Sequence, residues 1–242
     1  MPYSITSIKP FGYNAILVEW PKEMSESILW AILNYQNAIH SLNHNAIIET
    51  IQSINSLTIV YDTNRSSMSE MMDWLLSIES DDTVSTSKSK WEIPVCYDAL
   101  FALDNDEMTQ KLKIDWVELV ELHTRPTYTV FSIGFLPGFL YLGGLHSKLH
   151  YPRKSQPRPQ VLKGSIGIGE TQTGVYPIDS PGGWNIIGKT PIPFFDISKP
   201  NPCFAQPGDQ LVFYPVSYQE YKEIEAQINS ESYQISKLLV HD

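Results

Sequence analysis

The sequence has little cysteine, little charge and no long apolar run, and each scarcity argues against a class of protein. Only two cysteines, Cys96 and Cys203, occur in 242 residues. They stand far apart and form no C-x-x-C pair, which opposes a disulfide framework and a thiol redox motif; both read as reduced core residues. Charged residues make up 18% of the chain, with 17 Lys and Arg against 27 Asp and Glu. The formal net charge of -10 and a pI near 5.0 are unsuited to neutralising a phosphate backbone, so nucleic acid is not an expected partner. No apolar stretch approaches the roughly 20 residues that a membrane helix needs. The first residues, MPYSITSIKPFGYNAILVEW, show no basic segment followed by an apolar run. The expectation is a cytoplasmic protein with no membrane partner.

What is present is the material of a folded core. Hydrophobic residues account for 42% and aromatics for 12%, and a chain of this length is as readily two domains as one. The polar, Ser/Thr-rich stretch from Ser80 to Lys90 reads as a linker. It divides the chain into residues 1–90, a small α/β domain, and 91–242, rich in short strands.

In the first part, Ala15–Trp20 reads as a strand, Met24–Leu42 as a helix, Ile47–Ile51 and Leu57–Tyr61 as strands and Met68–Ile78 as a second amphipathic helix. With Trp91–Cys96 as the last strand, this order predicts a split βαβ, ferredoxin-like unit; Pro94 places that strand at an edge or at its end. In the second part, Asp106–Leu112 and Asp115–Leu122 read as short helices, the latter opened by a variant capping box of Asp115 and Glu118. From Tyr128 onward, apolar runs at 128–135, 165–168, 175–178, 184–187 and 210–214 alternate with Gly and Pro clusters, the pattern of a β-barrel or sandwich. Ser217 and Glu220 open a terminal helix to about Ile228, followed by a β-like tail.

Gly183-Trp-Asn-Ile-Ile-Gly188-Lys189-Thr190 fits the phosphate-loop pattern G-x-x-x-x-G-K-[ST]. That loop works because it feeds a helix N-terminus, and Pro191 and Pro193 prevent a helix here. The segment reads instead as a Gly-Gly turn entering a buried strand. The glycines from Gly164 to Gly174 lack the G-x-G-x-x-G spacing and read as turns and close backbone approaches. His146 and His150 stand four apart, but Pro152 and the lack of a third ligand oppose a metal site. His123 suits the negative end of a helix dipole. More informative is Tyr151–Lys163, where Arg153, Lys154, Arg158 and Lys163 sit on a proline-stiffened segment of an acidic protein. Such cations can hold a phosphate or carboxylate through bidentate contacts, or form a solvated basic loop.

A set of motifs then gives a resemblance: Gly134-Phe-Leu-Pro137-Gly138-Phe-Leu-Tyr141-Leu, Pro152-Arg153, Pro157-Arg158, Gly164-Ser165, Gln172-Thr173-Gly174-Val-Tyr176-Pro177, Ser180-Pro-Gly-Gly-Trp184-x-x-Ile-Gly188-Lys-Thr190 and Pro207-Gly208-Asp209-Gln-Leu-Val-Phe213. Together they resemble the family of the 5-oxoprolinase B subunits, also known as KipI and as allophanate hydrolase subunit 1. The likeness is dense over residues 91–216 and looser before. It implies a small α/β domain followed by a cyclophilin-like β-barrel. In such proteins the position of Lys189 is usually Arg, so a single exchange creates the phosphate-loop match. The chain departs from the family where V-P-A-G-S becomes Val161-Leu-Lys163-Gly-Ser165, where A-G-x-Q-T-G becomes Gly169-Glu170-Thr-Gln172-Thr-Gly174, and where a G-D pair becomes Tyr13-Asn14.

The resemblance implies a subunit that opens 5-oxoproline to glutamate with ATP, together with an A-type, LamB/YcsF-like subunit and a C-type subunit like allophanate hydrolase subunit 2. It suggests Arg153 and Arg158 as anion holders and Gln172, Thr173 and Tyr176 as substrate-orienting groups; no catalytic residue and no metal ligand set is assigned. Two other readings accompany it: a KipI-like inhibitor of a sensor histidine kinase, and half of a urea carboxyltransferase that uses biotin from elsewhere.

Overall fold

The structure is a computed structural model and describes residues 4–79 and 88–240. The chain is α+β and divides into two compact units, 1–86 and 87–242. Most of the Ser80–Lys90 linker, residues 80–87, lies outside the described residues.

The first unit runs β1 (Ser7–Pro10), β2 (Ala15–Glu19), α1 (Glu26–Leu42), β3 (Ile47–Gln52), β4 (Ser56–Tyr61) and α2 (Met68–Leu76). Its four strands form one antiparallel sheet in the order β1-β2-β4-β3. Period-2 alternation turns Ile16, Val18, Leu57, Ile59 and Tyr61 to one face. Helical spacing brings Ile28, Ile32, Tyr35 and Ile39 of α1 into the same core, and Met71 and Leu75 of α2 join them. The Tyr35 hydroxyl donates to the Leu75 carbonyl at 2.7 Å, tying the helices together. A reciprocal capping box of Ser67 and Glu70 starts α2.

The ferredoxin-like expectation requires correction here. Trp91–Cys96 does not complete this sheet, because the outer position beside β2 is filled by β1, a strand with no clear signal in the sequence. β1 has only four residues, half of them exposed, so no alternation marks it.

The second unit runs β5 (Lys88–Cys96), α3 (Asn105–Leu112), α4 (Trp116–Thr124), β6 (Tyr128–Ile133), β7 (Leu140–Gly143), β8 (Arg158–Val161), β9 (Ser165–Gly169), β10 (Gln172–Val175), β11 (Ser180–Gly182), β12 (Asn185–Lys189), β13 (Gln210–Val216), α5 (Tyr218–Asn229) and β14 (Lys237–Val240). Strands β12-β9-β10-β7-β6-β13-β5 form a ring that closes where Lys189 pairs with Cys96, giving a seven-stranded barrel. β14 adds to β5 outside the ring, and β8 and β11 form a separate ribbon. Lys88–Lys90, read from the sequence as the end of the linker, begin β5.

Pro94 is accommodated by this arrangement. The Glu92 N–H turns away from β13 to donate to the Ser236 carbonyl at 3.2 Å, and Pro94, two residues on, faces the same side. That side is paired with β14 only at 88–91 and with β12 only at 96, so the missing N–H of Pro94 falls in the gap between them. Asp209, after the Pro207-Gly208 turn, pins the start of β5: its carboxylate accepts from the Ser89 N–H at 2.9 Å and the Trp91 indole N–H at 3.0 Å. At the other end, a capping box of Ser217 and Glu220 starts α5. Asp115 accepts from the Glu118 N–H, but only that half of the expected box forms.

Candidate functional site

Strand alternation sorts the residues of β9 and β10 to two faces. Thr173 pairs with Ile168 and Val175 with Ile166, and all four point into the barrel. Gly167, Gly169, Gln172 and Gly174 therefore lie on the outer face.

The outer face is a seat for one indole. A Cβ at Gly167 would stand 2.9 Å from the Trp184 Cβ, one at Gly169 2.8 Å from the ring, and one at Gly174 2.9 Å from its far edge. Only hydrogen at these positions lets the ring lie flat against the sheet, so the glycine-rich segment is a packing surface. Phe139 meets the ring edge-on at 5.4 Å and Tyr141 at 6.0 Å. Above it, the exposed Arg153 guanidinium sits 5.4 Å from the indole centroid.

The inner face carries a buried polar chain. α4 carries His123 into the barrel, where its Nε2 lies 2.9 Å from the Thr173 hydroxyl and its Nδ1 2.7 Å from the Tyr97 hydroxyl. Thr173 donates onward to the Gly167 carbonyl at 3.1 Å. Every group is satisfied if Tyr97 donates to Nδ1 and Nε2–H donates to Thr173, which fixes the tautomer. Burial lowers the His123 pKa to about 3, so the ring is neutral and a poor proton carrier at neutral pH. The unfolded chain binds this proton below an ordinary pKa of 6.5 and the folded chain does not. Stability is therefore expected to fall as pH drops from about 6.5 toward 3. Urea denaturation from pH 7 to 5 should show this slope in the native chain and a flatter one in His123→Gln; equal slopes would refute it.

Next to the Trp184 seat is a charged node. Asp104 is the N-cap residue of α3, but its side chain makes no cap hydrogen bond. Its carboxylate is buried and accepts from Arg158 Nη2 at 2.6 Å, Lys154 Nζ at 2.7 Å and the Ile186 N–H of β12 at 2.6 Å. Burial by itself raises its pKa, but the hydrogen bonds from Arg158, Lys154 and Ile186 outweigh that and hold it below the ordinary value. Lys154 also reaches Glu107 at 2.7 Å.

A cleft of about 420 Å³ opens beside the node, with Glu107, Tyr151, Arg153, Lys154, Gln156 and Asn185 in its lining. Asn185 is fully buried and donates its amide to the carbonyls of Pro152 at 2.9 Å and Ile168 at 3.1 Å, which identifies Nδ2. Its Oδ1 has no partner among the described residues, and neither have Arg158 Nη1 and Gln172 Nε2. Asn185 and Gln172 flank consecutive residues of β9, pairing with Ile168 and Gly169. In this unit the buried orphaned side-chain atoms among the described residues are thus two donors and one acceptor on the strands and ribbon around Trp184.

The sequence-derived site residues separate accordingly. Arg153 lies at the cleft, and Gln172 and Tyr176 belong to the Trp184 side, where Tyr176 packs edge-on against Phe139 and is itself buried. Arg158 is already engaged with Asp104. Thr173 faces the other way, into the barrel, bonded to His123. Sequence reasoning missed Asp104, Asn185 and the seating role of Trp184. The signals for them are an Asn inside the apolar run 184–187 and glycines alternating at 167 and 169, the period of one strand face.

The phosphate-loop segment forms β12, and Lys189 lies over the Phe101 ring at 5.4 Å. His146 and His150 flank a single 3-10 turn at Ser147–Leu149, where His150 Nε2 bonds the Leu145 carbonyl at 3.1 Å. Among the described residues, no group of three or more His, Cys, Asp or Glu is placed to hold a metal, and no helix is long and apolar enough to cross a membrane. Both cysteines are free.

The family model for the carboxyltransferase domain, subdomains C and D, matches residues 6–205, which spans the small α/β unit and most of the barrel. The chain is 34% identical over 233 residues to the 5-oxoprolinase B subunit of Bacillus subtilis, covering 89% of this chain and 96% of that protein. It is 36% identical over 170 residues to the 5-oxoprolinase B subunit of Escherichia coli O157:H7, covering 70% and 78%. The chain belongs to this carboxyltransferase subdomain family, on the branch of the 5-oxoprolinase B subunits. The crystal structure of the K. lactis urea amidolyase has the same fold, with a TM-score of 0.81 at 19% identity over 98% of this chain and 17% of that one.

Proposed function

We propose that this chain is the B subunit of an ATP-dependent 5-oxoprolinase. In the cytoplasm it acts with a LamB/YcsF-like A subunit and a C subunit like allophanate hydrolase subunit 2, opening 5-oxoproline to glutamate. One observation carries the reading: the named B subunits match this chain over most of both lengths. The barrel is read as the cyclophilin-like kind, following residue 91 or so. The likeness to urea amidolyase, at 19% identity, carries the fold alone.

Opening a lactam requires charge stabilisation as its carbonyl oxygen is activated, a task for cations and fixed donors in a shielded cleft. ATP supplies the activating phosphoryl group in the assembled complex. What this chain brings is a cationic rim at Arg153 on a rigid aromatic platform. The residues of the phosphate-loop segment are committed to a strand, which favours placing the nucleotide on a partner.

The test is reconstitution. The isolated chain should show no 5-oxoproline-dependent ATP hydrolysis, whereas the three-subunit mixture should hydrolyse ATP with 5-oxoproline and not with urea. Turnover by this chain alone, or a mixture that responds to urea instead, overturns the reading.

A further inference from the structure

We propose that a second cavity of the barrel unit, about 610 Å³ in volume, binds a free amino acid with a large apolar side chain, Lys199 meeting its carboxylate and Glu231 its ammonium. The cavity lies between the loop after β12, residues 192–199, and the turn after α5, residues 231–235, with Trp91 of β5 in its lining. It shares no lining residue with the cleft beside Trp184 and is independent of the 5-oxoprolinase reading. Its apolar lining is Trp91, Ile192, Ile228, Tyr233 and Ile235. Trp91 is a fixed wall: its indole N–H is bound to Asp209, and Phe204 meets the ring edge-on at 4.9 Å. The volume is that of an ordinary small-molecule site, and aromatic and aliphatic walls suit an apolar side chain.

The charged groups of the lining decide what else the ligand carries, and they are of both signs. Asp196 Oδ1 is taken by the Ser198 N–H at 3.0 Å and hydroxyl at 2.6 Å. Lys199 Nζ stands 3.9 Å from Asp196 Oδ2, beyond direct hydrogen-bond reach, so its donors are left for a ligand carboxylate. Across the cavity, no described residue pairs with the Glu231 carboxylate. Glu231 also stands where neither backbone nor field favours it. Its φ of 57° is left-handed, and it follows the C-terminal, negative end of α5, whose last turn has no basic residue. A ligand ammonium there answers the carboxylate and the helix end together. An apolar amine or an apolar acid matches one of the two charges; an amino acid with an apolar side chain matches both and fills the lining.

Calorimetric titration of the full chain tests this with phenylalanine, leucine, glycine, N-acetylphenylalanine, which lacks the ammonium, and phenylalaninamide, which lacks the carboxylate. Phenylalanine or leucine should bind. Glycine should bind far more weakly, because it buries no side chain. For phenylalanine, the acetyl and amide derivatives should each bind about tenfold or more weakly than the parent, the loss of one charge-assisted contact. Lys199→Gln should bring the ratio of phenylalanine to phenylalaninamide to about one and preserve the preference over N-acetylphenylalanine; Glu231→Gln should do the reverse. Both side chains are exposed, so neither change disturbs folding. No binding of either apolar amino acid, equal affinity for phenylalanine and its two derivatives, or ratios that neither variant alters overturn the assignment.

Discussion

Asp104→Ala is expected to destabilise the second unit by about 3–5 kcal/mol, the usual consequence of removing one partner from a buried charge cluster. The carboxylate is only 3% exposed and neutralises two cations whose side chains are themselves largely covered, Lys154 at 17% and Arg158 at 25% exposure. Without it, both charges and the Ile186 N–H lose their acceptor together. Lys154 retains Glu107, but that carboxylate is half exposed and a pair of this kind contributes little. Urea denaturation at neutral pH reads the effect, and a loss under about 1 kcal/mol would show that water replaces the carboxylate. The pH dependence has a definite sign. The folded pKa lies below the ordinary 3.8, so the contribution is complete above that pH and disappears as pH falls through the folded value. This acid step is distinct from the one at His123, which begins near pH 6.5.

Trp184→Ala is expected to cost about 3–5 kcal/mol in the same measurement, the range for deleting a large buried aromatic side chain. The surrounding strands cannot close over the space, because the positions beneath the ring are glycines on two neighbouring barrel strands held in register. Phe135→Ala is the internal control. Phe135 is equally aromatic and lies in the Gly134–Gly138 loop, but is 72% exposed, and its loss should change stability by no more than about 0.5 kcal/mol. A Trp184→Ala effect as small as that of Phe135→Ala would mean that the glycines are not a seat.

Much of the fold was legible because its signals are local. The spacing of Ile28, Ile32, Tyr35 and Ile39 specifies α1, and the Ser-x-x-Glu boxes at 67–70 and 217–220 mark where two helices start. The prolines after Thr190 were enough to reject the phosphate loop, and β12 occupies that segment. The ferredoxin-like unit failed for a non-local reason. Trp91–Cys96 reads as a strand in either setting, and nothing within it says whether it completes the small sheet or pairs with β13, which begins at Gln210. Its partner is settled by Asp209, which binds Ser89 and Trp91 from far along the chain.

The candidate site divides the same way. Residue chemistry along the sequence singled out the cations of Tyr151–Lys163, since cations on a stiff segment stand out without any fold, whereas Gln172 and Thr173 were suggested by the family resemblance. The tertiary structure alone decided which of them are available. Arg158 is drawn to Asp104, which lies 54 residues away. Thr173 is turned inward because adjacent residues of a strand face opposite sides, and β10 gives its outer side to Gln172. Composition and local pattern determined what kinds of element this protein builds and which groups it has to work with. Closure of the barrel determined which charges cancel inside and which one, Arg153, still faces the cleft, because that outcome depends on pairings between residues that sequence distance does not relate.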